Sequence, residues 1–219
     1  ATVDYAKHIG YLECLLDTSL NTGNALGVVT GPYGTGKTHF LLVSKTYAID
    51  KGYAVAHLSL DMGLSALGHP QRHMRALLAS IRIPPRNEML LEHLRYLLDD
   101  ASSFQRFCHH LQEIANENSD ISEIAEKAFQ YSQLHPSIRQ STLFWYLSGA
   151  SLIGKAAAAS VRLQAYKLLN FWVIFCKRYL NCNGLMLILD EVEKLFDQSP
   201  ASRRAAYRSI ACYAVILNP

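Results

Sequence analysis

Short, mostly apolar runs occur at four places along the chain and predict buried strands. They span residues 25–29, 53–60, 185–189 and 213–218, and the last run ends in a polar residue. Runs of this length suit strands of a parallel sheet, because such strands are covered by other elements on both faces. The pattern therefore predicts an α/β fold built on a parallel sheet with helices on both faces.

Between these runs, apolar residues recur every three or four positions, which is the spacing of helices with one buried face. One such helix is predicted to follow the first strand and to end at Gly52. Another is predicted over residues 70–83, where the pair Pro84-Pro85 breaks it.

The helical spacing continues from residue 87 to residue 183, between the second and third predicted strands. Nearly a hundred helical residues at this point predict a large all-helical insertion. The insertion divides the predicted core domain into a first part, residues 1–86, and a second part, residues 184–219.

A glycine-rich turn separates the first predicted strand from the helix after it. Residues 31–38 read GPYGTGKT, which matches the phosphate-loop pattern G-x-x-x-x-G-K-[S/T] at every fixed position. A strand, a glycine turn and a helix in this order are the context that the pattern requires. The predicted nucleotide-binding residues are Gly31, Pro32, Tyr33, Gly34, Thr35, Gly36, Lys37, Thr38 and His39.

The chemistry of this turn follows from its residue types. Glycines allow the backbone to approach a triphosphate closely, and the amides at the start of the helix favour a bound anion. Lys37 is predicted to reach the β- and γ-phosphates of ATP, and the Thr38 hydroxyl is predicted to bind Mg²⁺. The alternative is a tight turn without a ligand.

The third predicted strand ends in two acidic residues, Asp190 and Glu191. Open α/β sheets bind ligands at the carboxyl ends of their strands, so these side chains are predicted to face the phosphate loop. Asp190 is the predicted second magnesium residue, and Glu191 is predicted to orient and deprotonate the attacking water. The alternative is a strand that simply meets a solvated loop.

Two groups of arginines lie outside these motifs. Arg72, Arg75, Arg82 and Arg86 form the first group, and Arg203, Arg204 and Arg208 form the second. Both are interpreted as solvated faces. For the first group, a track that contacts phosphates is the alternative. For the second group, contact with a neighbouring subunit or with DNA is the alternative.

Composition narrows the class of protein. The chain has 219 residues and a formal charge of +3, which is too mild to indicate a nucleic-acid surface by itself. Its five cysteines are scattered and odd in number, as in proteins that keep their thiols reduced. No run of eighteen apolar residues and no signal-peptide pattern is present, so a cytoplasmic location is predicted.

With both motifs in place, the chain resembles AAA+-type P-loop ATPases, and more narrowly the ATP-binding proteins of bacteriophage-exclusion (BREX) defence systems. The resemblance rests on GPYGTGKTHFL, on WYLSGASL before a long helix, and on GLMLILDEVEKLF before an arginine-bearing helix. It implies an ATPase that works with other protein subunits of a defence or DNA-processing complex. Double-stranded DNA and further copies of the chain are additional candidate partners.

The resemblance also suggests a role for Asn218, which ends the fourth predicted strand. In AAA+ ATPases this place belongs to a polar residue near the γ-phosphate, so Asn218 is a candidate catalytic residue beside Lys37 and Glu191. An arginine finger and a helical lid would follow in a full module of this class. The chain is therefore expected to be a fragment or to represent a shorter family.

Two functions remain open from the sequence. The first is Mg²⁺-dependent ATP hydrolysis that powers a DNA-associated complex, and the second is a nucleotide-dependent scaffold or switch with little turnover. A P-loop kinase is disfavoured, because the Asp-Glu pair suits activation of water better than transfer to a metabolite.

Overall fold

A computed structural model describes residues 5–60, 67, 70–117, 121–152 and 158–216. The helices in it are α1 (Tyr5–Thr22), α2 (Lys37–Asp50), α3 (Pro70–Ser80), α4 (Leu90–Asp99), α5 (Ala101–Ala115), α6 (Ser122–Ser132), α7 (Pro136–Leu147), α8 (Ala158–Tyr179) and α9 (Pro200–Ile216). Two 3₁₀ helices span Ala150–Leu152 and Val192–Asp197. The strands are β1 (Ala54–Ser59), β2 (Arg82–Ile83), β3 (Glu88–Met89) and β4 (Leu185–Asp190).

The sheet is small and mixed, with the strand order β3-β2-β1-β4. Strands β1 and β4 are parallel, and their register runs from Ala54 opposite Leu185 to Ser59 opposite Asp190. Strand β2 is antiparallel to both β1 and β3. Strands are therefore present where they were predicted over 53–60 and 185–189, and the structure shows that the two pair with each other.

The predicted parallel α/β sheet is wrong. The described part of the chain is mostly helical, and β1 and β4 are its one parallel pair. Residues 25–29 belong to no strand, and Leu26 and Val28 are 79% and 71% exposed. An apolar run forms a strand only where neighbouring backbone groups pair with it, and no described strand lies beside this one.

The strand predicted over 213–218 is also wrong as far as the structure describes it. Residues 213–216 continue α9, which begins at Pro200 after a serine cap. The Ser199 hydroxyl accepts a hydrogen bond from the Ser202 amide at 3.3 Å. A short apolar run is compatible with a helix as well as with a strand. Helix α9 therefore extends through residues 213–216. Asn218 lies outside the described residues.

Strands β2 and β3 were not predicted, because two residues are too few to show a period. They flank the turn at Pro84-Pro85 that was expected to end α3, and α3 ends just before it at Ser80. The Leu90 amide donates to the Ile81 carbonyl at 2.9 Å, which closes the hairpin. The prolines thus turn the chain back along the edge of the sheet.

Helices cover the two faces of the sheet in unequal numbers. On one face, Val55 and Ile188 pack with Leu12 and Leu16 of α1 and with Ile49 of α2. The other face belongs to a larger core that reaches from the sheet into helices α3 to α9. That core includes Ala54, Ala56, Leu77, Leu94, Phe107, Phe171, Trp172 and Tyr213.

Helices were predicted across residues 87–183, and α4 to α8 occupy most of the described part of that range. They do not form a separate layer, since their apolar side chains join the core that covers β1. No helix in the described part of the chain combines the length and the hydropathy needed to cross a membrane.

Trp172 gives a test of this core. Its indole is 1% exposed, and its Nε1–H donates to the Leu147 carbonyl at 3.0 Å. Trp172→Phe leaves that carbonyl without a donor and creates a small cavity, so we expect the free energy of unfolding to fall by roughly 2–4 kcal/mol. Urea denaturation measures the change. The matched control is Trp145→Phe, because Trp145 is 48% exposed and its replacement should cost less than about 0.5 kcal/mol.

Candidate nucleotide-binding site

The glycine-rich turn is reached from α1 through a mostly exposed segment without regular secondary structure. Gly23, at φ 88°, ends α1, and its amide donates to the Ser19 carbonyl at 3.0 Å. Further on, Gly27 passes so close to α1 that a Cβ there would lie 3.0 Å from the Tyr11 hydroxyl and 3.1 Å from Leu15. Helix α1 therefore holds the start of the loop, a contact that the sequence did not reveal.

The loop itself needs its glycines. Gly34 and Gly36 have φ values of +80° and +85°, in the left-handed region that other residues rarely adopt. A Cβ on Gly31 would lie 2.9 Å from the Thr35 hydroxyl oxygen, which itself donates to the Pro32 carbonyl at 2.8 Å. The turn is therefore closed by its own hydrogen bonds before any ligand is present.

Helix α2 begins directly after this turn, with Gly36 as its N-cap residue. No side chain caps its first turn, so the amides there have no side-chain acceptor. Thr38 and His39 in the first turn are exposed, and Tyr33 in the loop is 99% exposed. The loop and the helix start together present an open, electropositive surface of backbone N–H groups.

Lys37 folds back over the loop. Its Nζ donates to the carbonyl oxygens of Gly31 and Pro32 at 3.0 and 3.2 Å, and it lies 4.0 Å from Glu193 Oε1. The lysine side chain is 23% exposed and that of Glu193 is 55% exposed. Two carbonyl oxygens thus hold the ammonium group over the loop, and they accept hydrogen bonds as phosphate oxygens would.

The contact with Glu193 joins the two motifs. Glu193 lies in the 3₁₀ helix Val192–Asp197, which follows β4 and its terminal Asp190. The glycine-rich loop and the carboxyl end of β4 therefore meet at one end of the sheet.

Asp190 lies on the same face of the sheet as α2. Side chains alternate along a strand, so Asp190 shares its face with Ile188, which packs with α1 and α2. Its side chain is buried, at 7% exposure of the residue, and Oδ1 accepts from the Glu191 amide at 2.9 Å. The carboxylate is thereby oriented by the backbone of the next residue.

Glu191 has a left-handed backbone at φ 58°. For a residue with a Cβ this conformation costs about 1–2 kcal/mol, and such outliers cluster at functional sites. The residue is half-buried and serves as the N-cap of the 3₁₀ helix, where its carbonyl accepts from the Lys194 amide at 3.0 Å. The motif placed a carboxylate here, but only the structure revealed the unusual backbone.

His57 of β1 is a polar neighbour that the sequence analysis did not select. It lies on the Asp190 face of the sheet, opposite Ile188, and its Nε2 is buried without a hydrogen-bond partner. Burial lowers the pKa of His57, and the charge of Lys45 lowers it further, while Asp190 acts in the opposite direction. The sequence did carry a signal for this residue, because His57 lies in a strand whose other residues, apart from Ser59, are apolar.

Asn218, the third catalytic candidate, lies outside the described residues. Within the described ranges, no group of three or more His, Cys, Asp and Glu side chains is arranged to hold a metal ion by itself. A magnesium ion that is shared with phosphate needs fewer protein ligands, because it keeps several waters and takes one or two protein oxygens.

No protein-family model matches the chain, and neither does any curated protein or any solved structure. The chemistry of the site is therefore inferred from its own residues.

Proposed function

We propose that the chain binds Mg²⁺ and ATP at the loop of residues 31–38 and hydrolyses the nucleotide. The observation that carries this proposal is the approach of Lys37 Nζ to Glu193 Oε1, 4.0 Å apart, which brings the loop to the acidic end of β4. The nucleotide state is proposed to drive a multi-protein complex of the kind that bacteriophage-exclusion ATPases serve.

The loop suits a triphosphate in shape and charge. Its two left-handed glycines and the uncapped start of α2 leave amides free to donate to phosphate oxygens. Phosphate oxygens would replace the two loop carbonyls that now accept from Lys37. Because the lysine is already held over the loop, little side-chain ordering is needed when the ligand binds.

Thr38 and Asp190 are the proposed magnesium residues, since a hydroxyl in the first turn of α2 and a carboxylate on the same face of the sheet suit a hard cation. When bound, the ion neutralises charge that develops on the phosphates. The chain itself contributes the fixed carboxylate of Asp190, oriented by the Glu191 amide.

Glu191 is proposed to orient the attacking water and accept its proton. Its half-buried side chain follows directly after Asp190, and the left-handed backbone sets the direction in which it leaves the strand. Lys37 is proposed to stabilise the charge that accumulates on the transferred phosphoryl group.

A second candidate is a nucleotide-dependent scaffold with little turnover. The observation that favours it lies on α7, where Ile138 and Trp145 are 49% and 48% exposed and share one helix face. A cavity of about 140 Å³ opens beside Trp145, lined in part by Tyr131 and Tyr146. Exposed apolar groups beside a cavity suit a protein partner.

Thr38→Ala tests the proposed site. We expect the parent chain to bind a fluorescent ATP analogue more tightly with Mg²⁺ than with EDTA, and we expect Thr38→Ala to lose most of that difference. The reason is that the hydroxyl acts through the metal ion rather than through the phosphates. Fluorescence titration in both buffers measures the effect.

Thr46→Ala is the matched control for this experiment. Thr46 lies on the same helix and is exposed, and its hydroxyl donates to the Leu42 carbonyl at 3.3 Å, away from the loop. It should keep the full magnesium effect. A parent chain that binds no nucleoside triphosphate in either buffer contradicts the proposed function.

A further inference from the structure

Two segments of the chain contain arginines and no acidic residues. Residues 62–87 hold Arg72, Arg75, Arg82 and Arg86, and residues 198–219 hold Arg203, Arg204 and Arg208. None of the chain's 18 acidic residues falls in either segment. The modest overall charge of +3 therefore hides a strong local excess of positive charge.

The fold brings helices from these two segments together. The ring of His73 on α3 lies 5.5 Å from the ring of Tyr213 on α9. The Ser209 hydroxyl on α9 also donates to the Leu67 carbonyl at 2.9 Å, just before α3. Segments that are more than a hundred residues apart in sequence thus become neighbours.

The arginines of both helices point away from the core. Arg72 and Arg75 are exposed on α3, opposite the buried His73, Met74 and Leu77. Arg204 and Arg208 are exposed on α9, opposite the buried Ala206 and Ser209, and Arg203 is half-buried at the side. We call these five residues the arginine surface: Arg72, Arg75, Arg203, Arg204 and Arg208.

None of the carboxylates in the described ranges pairs with the arginine surface. Among the described residues, no Asp or Glu oxygen lies within 4.0 Å of any of its five guanidinium groups, whereas elsewhere Arg178 pairs with Glu117 and Lys167 pairs with Glu123. Solvated faces usually mix both signs of charge. A surface of one sign matches a partner of the opposite sign.

We propose that the arginine surface binds the phosphate backbone of double-stranded DNA. Arg204 and Arg208 are one helical turn apart, about 5–6 Å between their Cβ atoms, so adjacent guanidinium groups can contact neighbouring phosphates. Residues 201, 205 and 211, which flank these arginines, are alanines. Their small side chains allow a duplex to approach α9 closely.

A duplex suits the surface better than a single strand. Proteins that bind single strands stack bases on several aromatic side chains along the groove. On the described part of α9, Tyr207 is the one exposed aromatic residue, at 45%. A positively charged surface without a row of exposed aromatic side chains is typical of proteins that bind the phosphate backbone of a duplex.

The arginine surface is connected to the nucleotide-binding site through the chain. Helix α9 begins at Pro200, three residues after the 3₁₀ helix that carries Glu193. Only the 3₁₀ helix and a short connection therefore separate α9, the proposed DNA-binding helix, from the acidic end of β4. The DNA proposal does not require nucleotide, so its test is run without ATP.

The experiment uses the full chain, a fluorescein-labelled duplex of about 30 base pairs, and anisotropy at about 50 and 200 mM KCl. We expect a dissociation constant of roughly 10⁻⁶ to 10⁻⁴ M that rises steeply with salt. The double variant R204Q/R208Q should bind roughly tenfold more weakly or worse. Its salt slope should fall by about two, because about one counterion is released for each lost phosphate contact.

The matched control is R95Q/R106Q, which removes the same charge from exposed arginines of α4 and α5 near Glu92, Asp99 and Asp100. It should keep the parent affinity and slope. The proposal is overturned if both double variants weaken binding equally, if R204Q/R208Q binds like the parent, or if the parent binds no duplex. A parent that binds the single strand more tightly than the duplex also overturns it.

Circular dichroism melting of each variant accompanies the titration. R204Q/R208Q replaces two exposed side chains, so its melting temperature should match that of the parent. R95Q/R106Q also removes the contact of Arg95 with the Phe144 ring and the hydrogen bond from Arg106 to Ser103 Oγ, so its melting temperature should fall by a few degrees at most. Because nucleotide is absent, a failure of this experiment leaves the ATP proposal standing. Conversely, a chain that ignores ATP can still bind DNA through the arginine surface.

Discussion

Lys37→Met is expected to reduce the affinity for ATP by roughly 10- to 100-fold. Hydrogen bonds to charged groups contribute about 1.5–3 kcal/mol, and 1.4 kcal/mol corresponds to a factor of ten in affinity. The Lys37 ammonium group already lies over the loop, with the carbonyls of Gly31 and Pro32 as stand-ins for phosphate oxygens. Isothermal titration calorimetry or a fluorescent ATP analogue measures the loss.

The matched control for this prediction is Lys51→Met. Lys51 is exposed at the opposite end of α2, so the substitution removes the same charge from the same helix. It should leave ATP affinity within about threefold of the parent, since exposed charges at this distance are screened by salt. A Lys37→Met chain that binds ATP like the parent would place the nucleotide elsewhere.

Glu191→Gln is expected to separate binding from hydrolysis. General-base catalysis typically contributes 10²–10⁴-fold, so turnover of ATP should fall by roughly that factor. The amide keeps the size of the carboxylate and can still orient a water, but it cannot accept its proton. Affinity for ATP should change by less than about threefold, because this side chain is proposed to act on the attacking water. A phosphate-release assay with Mg²⁺ measures turnover.

Glu126→Gln is the control, because Glu126 is an exposed carboxylate on α6. It should hydrolyse ATP at the parent rate. If Glu191→Gln also keeps the parent rate, Glu191 is not the base. If the parent binds ATP but hardly turns it over, the scaffold function is favoured, and Glu191→Gln should then leave the biological activity intact.

Several elements could be predicted because their signals are local. The run of apolar residues in β4, the helical spacing of α2 and the proline pair after Ile83 each act over a few residues. The signal of the loop glycines is equally local, since the absence of a Cβ is what lets Gly34 and Gly36 adopt a left-handed φ without strain.

The errors have one physical cause. A strand exists only when its backbone pairs with a neighbour, and the neighbour is chosen by the whole fold. Residues 25–29 and 213–216 are apolar enough for strands, yet the first run belongs to no strand or helix and the second continues α9. The parallel sheet was predicted from runs whose pairing no local pattern could supply.

For the candidate site too, the sequence predicted the residue types but not their surroundings. The motifs identified Lys37, Thr38, Asp190 and Glu191 as residue types suited to phosphate and magnesium. They could not show that Asp190 is buried on the α2 face. The unpartnered nitrogen of His57 was equally hidden, because it depends on what packs around β1.

The amino-acid sequence by itself determined the glycine-rich turn between residues 31 and 36 and the start of α2 directly after it, since glycines act through local backbone freedom. Only the tertiary structure decided which distant groups meet: Lys37 with Glu193, and helix α3 and Leu67 before it with helix α9. These meetings depend on helices that pack over a shared core, and packing selects partners by the complementarity of whole surfaces rather than by nearness along the chain.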